Sequence, residues 1–153
     1  MSPDVIYLLV NTQALVAWIA LSIAPYNAQV QKWVLGGIVV ILAGLYAILF
    51  VGSFDGAMMS ELTTLDGLTA LFSNKQAVIL GWTHYLAFDL VAGIYIVRNA
   101  QTHEISSRAI LPFLWLTFMA GPLGWLMYVV FRVVKTKVYE LFKFSTVSFQ
   151  LYK

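Results

Sequence analysis

The chain has 153 residues, 61% of them hydrophobic and 10% charged, with a formal net charge of +2 and a mean hydropathy of +0.83. Soluble domains carry about 25% charged residues, so this composition excludes one and indicates a small polytopic membrane protein of the all-α class. Cysteine is absent and only two histidines occur, which rules out disulfides, thiolate metal ligands and thiol nucleophiles and leaves no metal site expected.

Four apolar runs, 5–24, 34–54, 76–97 and 109–131, are each about as long as a helical crossing requires. They predict a four-helix transmembrane bundle over residues 1–131, followed by a basic tail over 132–153. The first run has no basic region before it, since Asp4 precedes it, and is expected to be a retained helix and not a signal peptide. Between the first two runs, Pro25 to Trp33 forms a short polar link that makes those helices antiparallel neighbours. Gly37 and Gly44 on the second helix suit close helix packing. In the following stretch from Asp55 to Lys75, Leu62, Leu65, Leu68 and Phe72 recur at helical spacing, the pattern of a short interfacial helix. Arg98 to Arg108 is a polar turn in which His103 is expected to be solvated. The tail alternates basic positions with Val138, Leu141, Phe142 and Phe149, as in an amphipathic surface segment that binds anionic headgroups or docks on a larger assembly.

Four crossings would put the N-terminus, the 55–75 loop and the tail on one side, with Lys75, Arg132, Lys135, Lys137, Lys143 and Lys153. Lys32, Arg98 and Arg108 would lie on the other. That imbalance predicts both termini on the cytoplasmic or stromal side of a thylakoid or bacterial inner membrane. Because the basic residues adjoin membrane segments, no nucleic-acid partner is expected; membrane lipid is.

The third run carries the candidate chemistry. Gly81-Trp82-Thr83-His84-Tyr85-Leu86-Ala87-Phe88-Asp89 places two ionisable groups at membrane depth, where a carboxylate costs about 2.5 to 3.5 kcal/mol on insertion scales and usually has a partner or a use. At about 100° per residue, Trp82, Tyr85, Asp89 and Gly93 share one stripe, while His84 lies about 140° from Asp89. Asp89 and Tyr85, four residues apart, can bond directly. His84 must look elsewhere. Asp89, His84 and Tyr85 are the catalytic candidates, weighed against a purely structural use in helix packing.

On the fourth run, Pro122 removes a backbone donor and frees the Phe118 carbonyl, which predicts a kink at mid-membrane. Thr117, Gly121, Gly124 and Tyr128 then line one face that admits a close-packed helix or a flat ligand. From the first helix, Asn11 shares a stripe with Leu15, Trp18 and Ser22 and is a candidate bonding partner for Asp89 or a ligand hydroxyl. Trp82, Asn11, Thr117, Gly121, Gly124 and Tyr128 are thus the substrate-binding candidates.

Leu65-Asp66-Gly67-Leu68 with Leu71-Phe72-Ser73, the 81–90 string with Gly93 and Arg98, and Gly121-Pro122-Leu123-Gly124 with Leu126 and Tyr128 resemble the abscisic-acid-deficient-four-like family of small plastid and bacterial membrane proteins. The resemblance covers the chain to about Arg132, and the 81–89 string is its specific part. It implies carotenoid xanthophyll chemistry: in plants the family is tied to the isomerisation of violaxanthin to neoxanthin, in which a 5,6-epoxide opens and a C7 proton is lost to give an allene. No redox cofactor is implied. An acid near the epoxide oxygen and a base near C7 are needed, for which Asp89, His84 and Tyr85 are available. The alternative is a non-enzymatic accessory subunit of a photosynthetic complex that binds a carotenoid or chlorophyll, with His84 as axial ligand to a chlorin magnesium and the tail docked on the assembly.

Overall fold

The computed structural model describes residues 2–53 and 60–139, and they form helices α1 (Pro3–Ile23), α2 (Ala28–Ser53), α3 (Leu65–Leu71), α4 (Lys75–Thr102) and α5 (Ser107–Thr136). All but α3 are long and apolar enough to cross a membrane. The expected tail falls mostly on residues 140–153, outside the described residues, as does Asp55.

The first four helices start where the sequence supplies a cap. The Ser2 and Thr64 hydroxyls accept from the Val5 and Gly67 amides, and the Asn27 and Asn74 side chains from Gln29 and Gln76. Asn27 starts α2 well before the apolar run does. Residues 28–33, expected to be a link, form its first turns, and Gln31 is buried there with its amide bonded to the Pro25 carbonyl. The stretch Val34–Val39 is π-helical. Gly37 meets only Trp33 of its own helix and Gly44 faces open space, so neither seats a neighbouring helix as expected.

α1 and α4 run in the same direction and α2 runs against them. The Asp4 carboxylate lies 3.5 Å from the Lys75 ammonium where both begin. Farther along, Asn11 bonds Trp82, and Trp18 sits over Gly93, where an added Cβ would come within 2.7 Å of its ring. Val10, Ala14, Ala17, Trp18 and Leu21 of α1 and Leu86, Leu90, Ile94 and Val97 of α4 make much of the core. The exterior is apolar too: Leu8, Ile23, Ile48, Val51 and Val134 are exposed, as in a protein solvated by acyl chains.

The fourth apolar helix departs from the expected bundle. Ala120 (φ −145°, ψ 41°) and Gly121 (φ 12°, ψ −88°) leave the helical region, and the chain turns back on itself there. Beyond the turn, Gly121 abuts Asp89, Trp125 lies 6.0 Å from Tyr95, the Tyr128 hydroxyl donates to Asn99 at 2.7 Å and Arg132 approaches His103 at 3.5 Å. Both residue numbers rise together, so residues 122–136 run parallel to α4, whereas 107–119 run antiparallel to it. The Phe113 and Phe131 rings lie 4.9 Å apart, where a straight helix would separate those residues by about 27 Å. α5 is a helical hairpin. Its arms are about 20 Å long at 1.5 Å per residue, too short to cross a hydrocarbon core of about 30 Å. Pro122 falls at the first position of the returning arm, where a missing N–H costs nothing, so the expected kink is a reversal with a new helix start.

Two sequence expectations are corrected by this reversal. Three helices run the full length and the fourth enters and returns, and the two ends of the described chain lie at opposite ends of the molecule. Lys32, Arg98, Arg108, Arg132, Lys135 and Lys137 collect at the end holding the 103–106 turn, and Lys75 lies at the other. His103, expected to be solvated, is half-buried: its Nδ1 lies 2.8 Å from the Asn99 carbonyl and its Nε2 faces Arg132. Gln101 and Arg98 bond Gln31 across the same end. Nearby, the Tyr26 hydroxyl donates to the Ile105 carbonyl, and partial burial holds that phenol above its ordinary pKa, so it remains a donor across the neutral range.

α3 caps at Thr64 and ends at Leu71, with Leu62 and Leu65 exposed and Phe72 folded over Gly81 of α4, its ring 3.0 Å from where a Cβ would sit. A hydrophobic face at helical spacing was therefore a correct sign of a helix there.

Candidate functional site

The hairpin tip and the middle of α4 make the site. Asp89 is 14 residues from the start of α4 and 13 from its end, and the tip reaches its level. The carboxyl is 6% exposed and lies directly against Gly121, so that a side chain at 121 would overlap its Oδ1. Glycine is required at the tip for that approach. Tyr85, one turn earlier on α4, donates its hydroxyl to the Met119 carbonyl at 3.4 Å, one of those left without a helical partner by the reversal, and stands on the same stripe as the carboxyl. Asp89 Oδ2 is buried and has no hydrogen-bond partner among the described residues. An orphaned carboxyl oxygen in an apolar interior is costly unless something else supplies a partner.

A cleft of about 360 Å³ opens beside this carboxyl, lined by Phe88, Asp89, Ala92, Gly121, Pro122 and Trp125. Phe88 is exposed at its rim, so the cleft communicates with the outside of the bundle. The carboxylate also stands at the N-terminal end of the returning arm, whose first amides have no helical acceptors and whose dipole favours negative charge nearby. Such an arrangement can hold a proton on either the carboxyl or the phenol and present it to a polar group inserted among apolar side chains.

The other candidates divide. Trp82 belongs to the same stripe, its indole N–H donating 3.1 Å to the Asn11 side-chain oxygen and its ring 5.4 Å from Tyr85. Asn11 thus orients Trp82 and does not reach for Asp89. Gly124 and Thr117 face each other across the two arms, with no room for a Cβ at 124, and the Thr117 hydroxyl donates to Phe113 in its own arm, so this pair closes the hairpin and leaves no slot between the arms for a flat ligand. Tyr128 is fully buried nearer the 103–106 turn and bonds Asn99, away from the carboxyl. His84 is exposed on another face of α4, between the rings of Tyr46 at 5.4 Å and Phe88 at 4.7 Å. The structure brings Tyr85 to Asp89 and does not bring His84 there.

Phe88, Ala92, Pro122 and Trp125 are lining residues that sequence reasoning missed, and Trp18, in the core, covers Gly93 one turn beyond Asp89. Phe88 and Ala92 were within reach, being next to Asp89 and three residues on from it. Trp125 required knowing that α5 reverses. Among the described residues no cluster of three or more potential metal ligands occurs.

Comparison with known proteins gives a match to one family over residues 5–128, a region that includes α1 from its third residue, all of α4 and the hairpin tip. No curated protein and no solved structure matches the chain. The chain belongs to the ABA DEFICIENT 4-like family.

Proposed function

We propose that this protein is an integral membrane protein that binds a carotenoid and isomerises an epoxy xanthophyll by the route that yields an allene of the neoxanthin type. One observation carries the reading: a buried carboxyl with an unpartnered oxygen, paired with a phenol, beside an apolar cleft that opens outward. Family membership supports the carotenoid class.

The reaction is balanced without a cofactor. One C–O bond of the epoxide breaks and its oxygen takes a proton to become a hydroxyl, while the C7 hydrogen leaves as a proton and its bonding pair completes the allene. One proton is delivered and one removed. Asp89 and Tyr85, one turn apart on the same stripe of α4, supply the acid and the base and return the proton between them after each turnover. The apolar walls exclude water, which would otherwise capture the opened epoxide as a diol. Trp82, fixed by Asn11, stacks against the end ring or the adjoining polyene. By the distribution of basic residues, the end with the 103–106 turn and Lys137 faces the cytoplasm or stroma and the start of α1 faces the opposite side.

Expression in carotenoid-producing cells that accumulate violaxanthin tests this. The wild-type chain should give an allenic xanthophyll of unchanged mass, and Asp89→Asn, which keeps the shape and removes the acid, should give less than about a hundredth as much, as expected for losing a general acid or base. Equal product from both would refute the role of Asp89.

A second reading has one observation in its favour. The His84 imidazole is exposed on the outer face of α4 between two rings, with no hydrogen bond to any described residue, and so is open to ligate a chlorin magnesium. Chlorophyll that co-purifies with the wild type and is lost in His84→Ala would establish it.

A further inference from the structure

Because the hairpin turns back at Gly121, the half of α4 between Lys75 and Asp89 has no arm of α5 over the face that carries Asp89. We propose that this uncovered strip is a lateral groove that admits one long isoprenoid chain from the leaflet on the N-terminal side and delivers its oxygenated end ring to Asp89; the inference rests on the carotenoid reading above.

The strip is built for a flat, unsaturated occupant. Val78, Trp82, Tyr85 and Asp89 follow one another along it at helical spacing, and Val78 is 43% exposed. Tyr7 of α1, itself 50% exposed, forms the side wall, its ring 6.1 Å from Trp82, and Trp82 continues to Tyr85 at 5.4 Å. Those separations suit rings that share a surface, and a conjugated chain can lie along them. The strip has a hollow at each end. The cleft beside Asp89 forms the upper one, and a second of about 200 Å³ lies below, lined by Tyr7, Lys75, Val78 and their neighbours. Fourteen residues of α4 separate Lys75 from Asp89, about 21 Å of helix, so a chain entering from the interface meets the carboxyl only after most of its apolar length is in the groove.

The orphaned Asp89 Oδ2 decides between this occupant and an ordinary lipid tail. A saturated acyl chain brings no polar atom to mid-membrane and leaves that oxygen without a partner, whereas an end ring bearing a hydroxyl or epoxide supplies one. Stacking selects the polyene and the carboxyl selects the oxygenated end.

The test uses the full chain in lipid nanodiscs loaded with zeaxanthin, whose end rings carry hydroxyls, or with β-carotene, which has the same chain and no oxygen, and measures pigment retained per protein after washing. Val78→Trp fills the strip and Tyr7→Leu removes its wall; both positions are exposed, so neither change disturbs the core. Val91→Trp, at an exposed position on another face of α4, is the control. The proposal expects at least a fivefold loss of retained zeaxanthin in Val78→Trp and in Tyr7→Leu, none in Val91→Trp, and β-carotene retained at least fivefold less than zeaxanthin by the wild type. Zeaxanthin retained equally by all four proteins overturns the groove, and equal retention of the two pigments overturns delivery of an oxygenated ring to Asp89. Neither result touches the acid–base reading, which depends on product formation by Asp89→Asn. Loss of product in that variant with pigment retention unchanged would separate chemistry from binding in favour of both.

Discussion

Replacing Gly121 by alanine puts the account under direct strain. An alanine Cβ there would overlap Asp89 Oδ1 at less than any normal contact and stand 3.2 Å from the carboxyl carbon and 3.4 Å from Oδ2. The overlap is relieved only if the tip shifts or the carboxyl rotates from its place beside Gly121 toward the adjoining cleft. Overpacking of this kind costs about 1 to 3 kcal/mol, which lowers the folding equilibrium constant by roughly 5- to 150-fold. Thermal unfolding in detergent, followed by circular dichroism, measures the effect. The cause is isolated by a double-mutant cycle: Asp89→Ala removes the atoms that Gly121→Ala strikes, so the two together should be more stable than their separate effects predict, by about 0.5 to 3 kcal/mol. Gly44→Ala is the control, because its Cβ meets open space and alanine is the better helix former by up to about 1 kcal/mol. Strict additivity of Gly121→Ala and Asp89→Ala would refute the contact between the hairpin tip and α4.

Two further outcomes are expected from the packing around the site. Gly93→Ala drives a Cβ to within 2.7 Å of the Trp18 ring, which is fully buried, and should lower stability by about 1 to 3 kcal/mol; the same unfolding assay shows whether Trp18→Phe relieves it. Trp82→Phe removes the indole donor to Asn11 and should destabilise by about 0.5 to 1.5 kcal/mol while reducing turnover, and Asn11→Leu should have little additional effect in that background; additive losses would show that the bond does not link them.

Most of the secondary structure was legible because membrane helices announce themselves by length. The four runs appear as helices, and the short helix before α4 was visible in the spacing of Leu65, Leu68 and Phe72. The helix starts were less so, since Asn27 extends α2 through polar residues that hydropathy assigns to a link. The path of α5 was not legible at all. Its 30 residues satisfy every test of length and composition for a span, and Pro122 reads equally as a kink within one helix or as the first residue of a second. What separates these is the pairing of Trp125, Tyr128 and Arg132 with Tyr95, Asn99 and His103, a tertiary register that periodicity does not carry. Counting α5 as a crossing also put Arg132, Lys135 and Lys137 at the wrong end.

The candidate site was legible in proportion to how local it was. The one-helix geometry of Trp82, Tyr85 and Asp89, and the separation of His84 from them, follow from helical spacing and hold in the structure. Gly121 makes a close approach, to the Asp89 carboxyl, which is one of the two uses a glycine on that face admits. Thr117, Gly124 and Tyr128, placed on a single face by the assumption of one continuous helix, instead serve the closure of the hairpin and its attachment to α4.

The re-entrant course of α5 is the claim on which the site depends, and the absence of native cysteine allows it to be measured cleanly. Single cysteines at Ser2, Arg108 and Lys137 would be labelled with a membrane-impermeant maleimide in sealed vesicles of known orientation. The account predicts that Lys137→Cys is labelled from the same side as Arg108→Cys and from the side opposite to Ser2→Cys. Labelling of Lys137→Cys from the Ser2 side would mean that α5 crosses the membrane, and would contradict it.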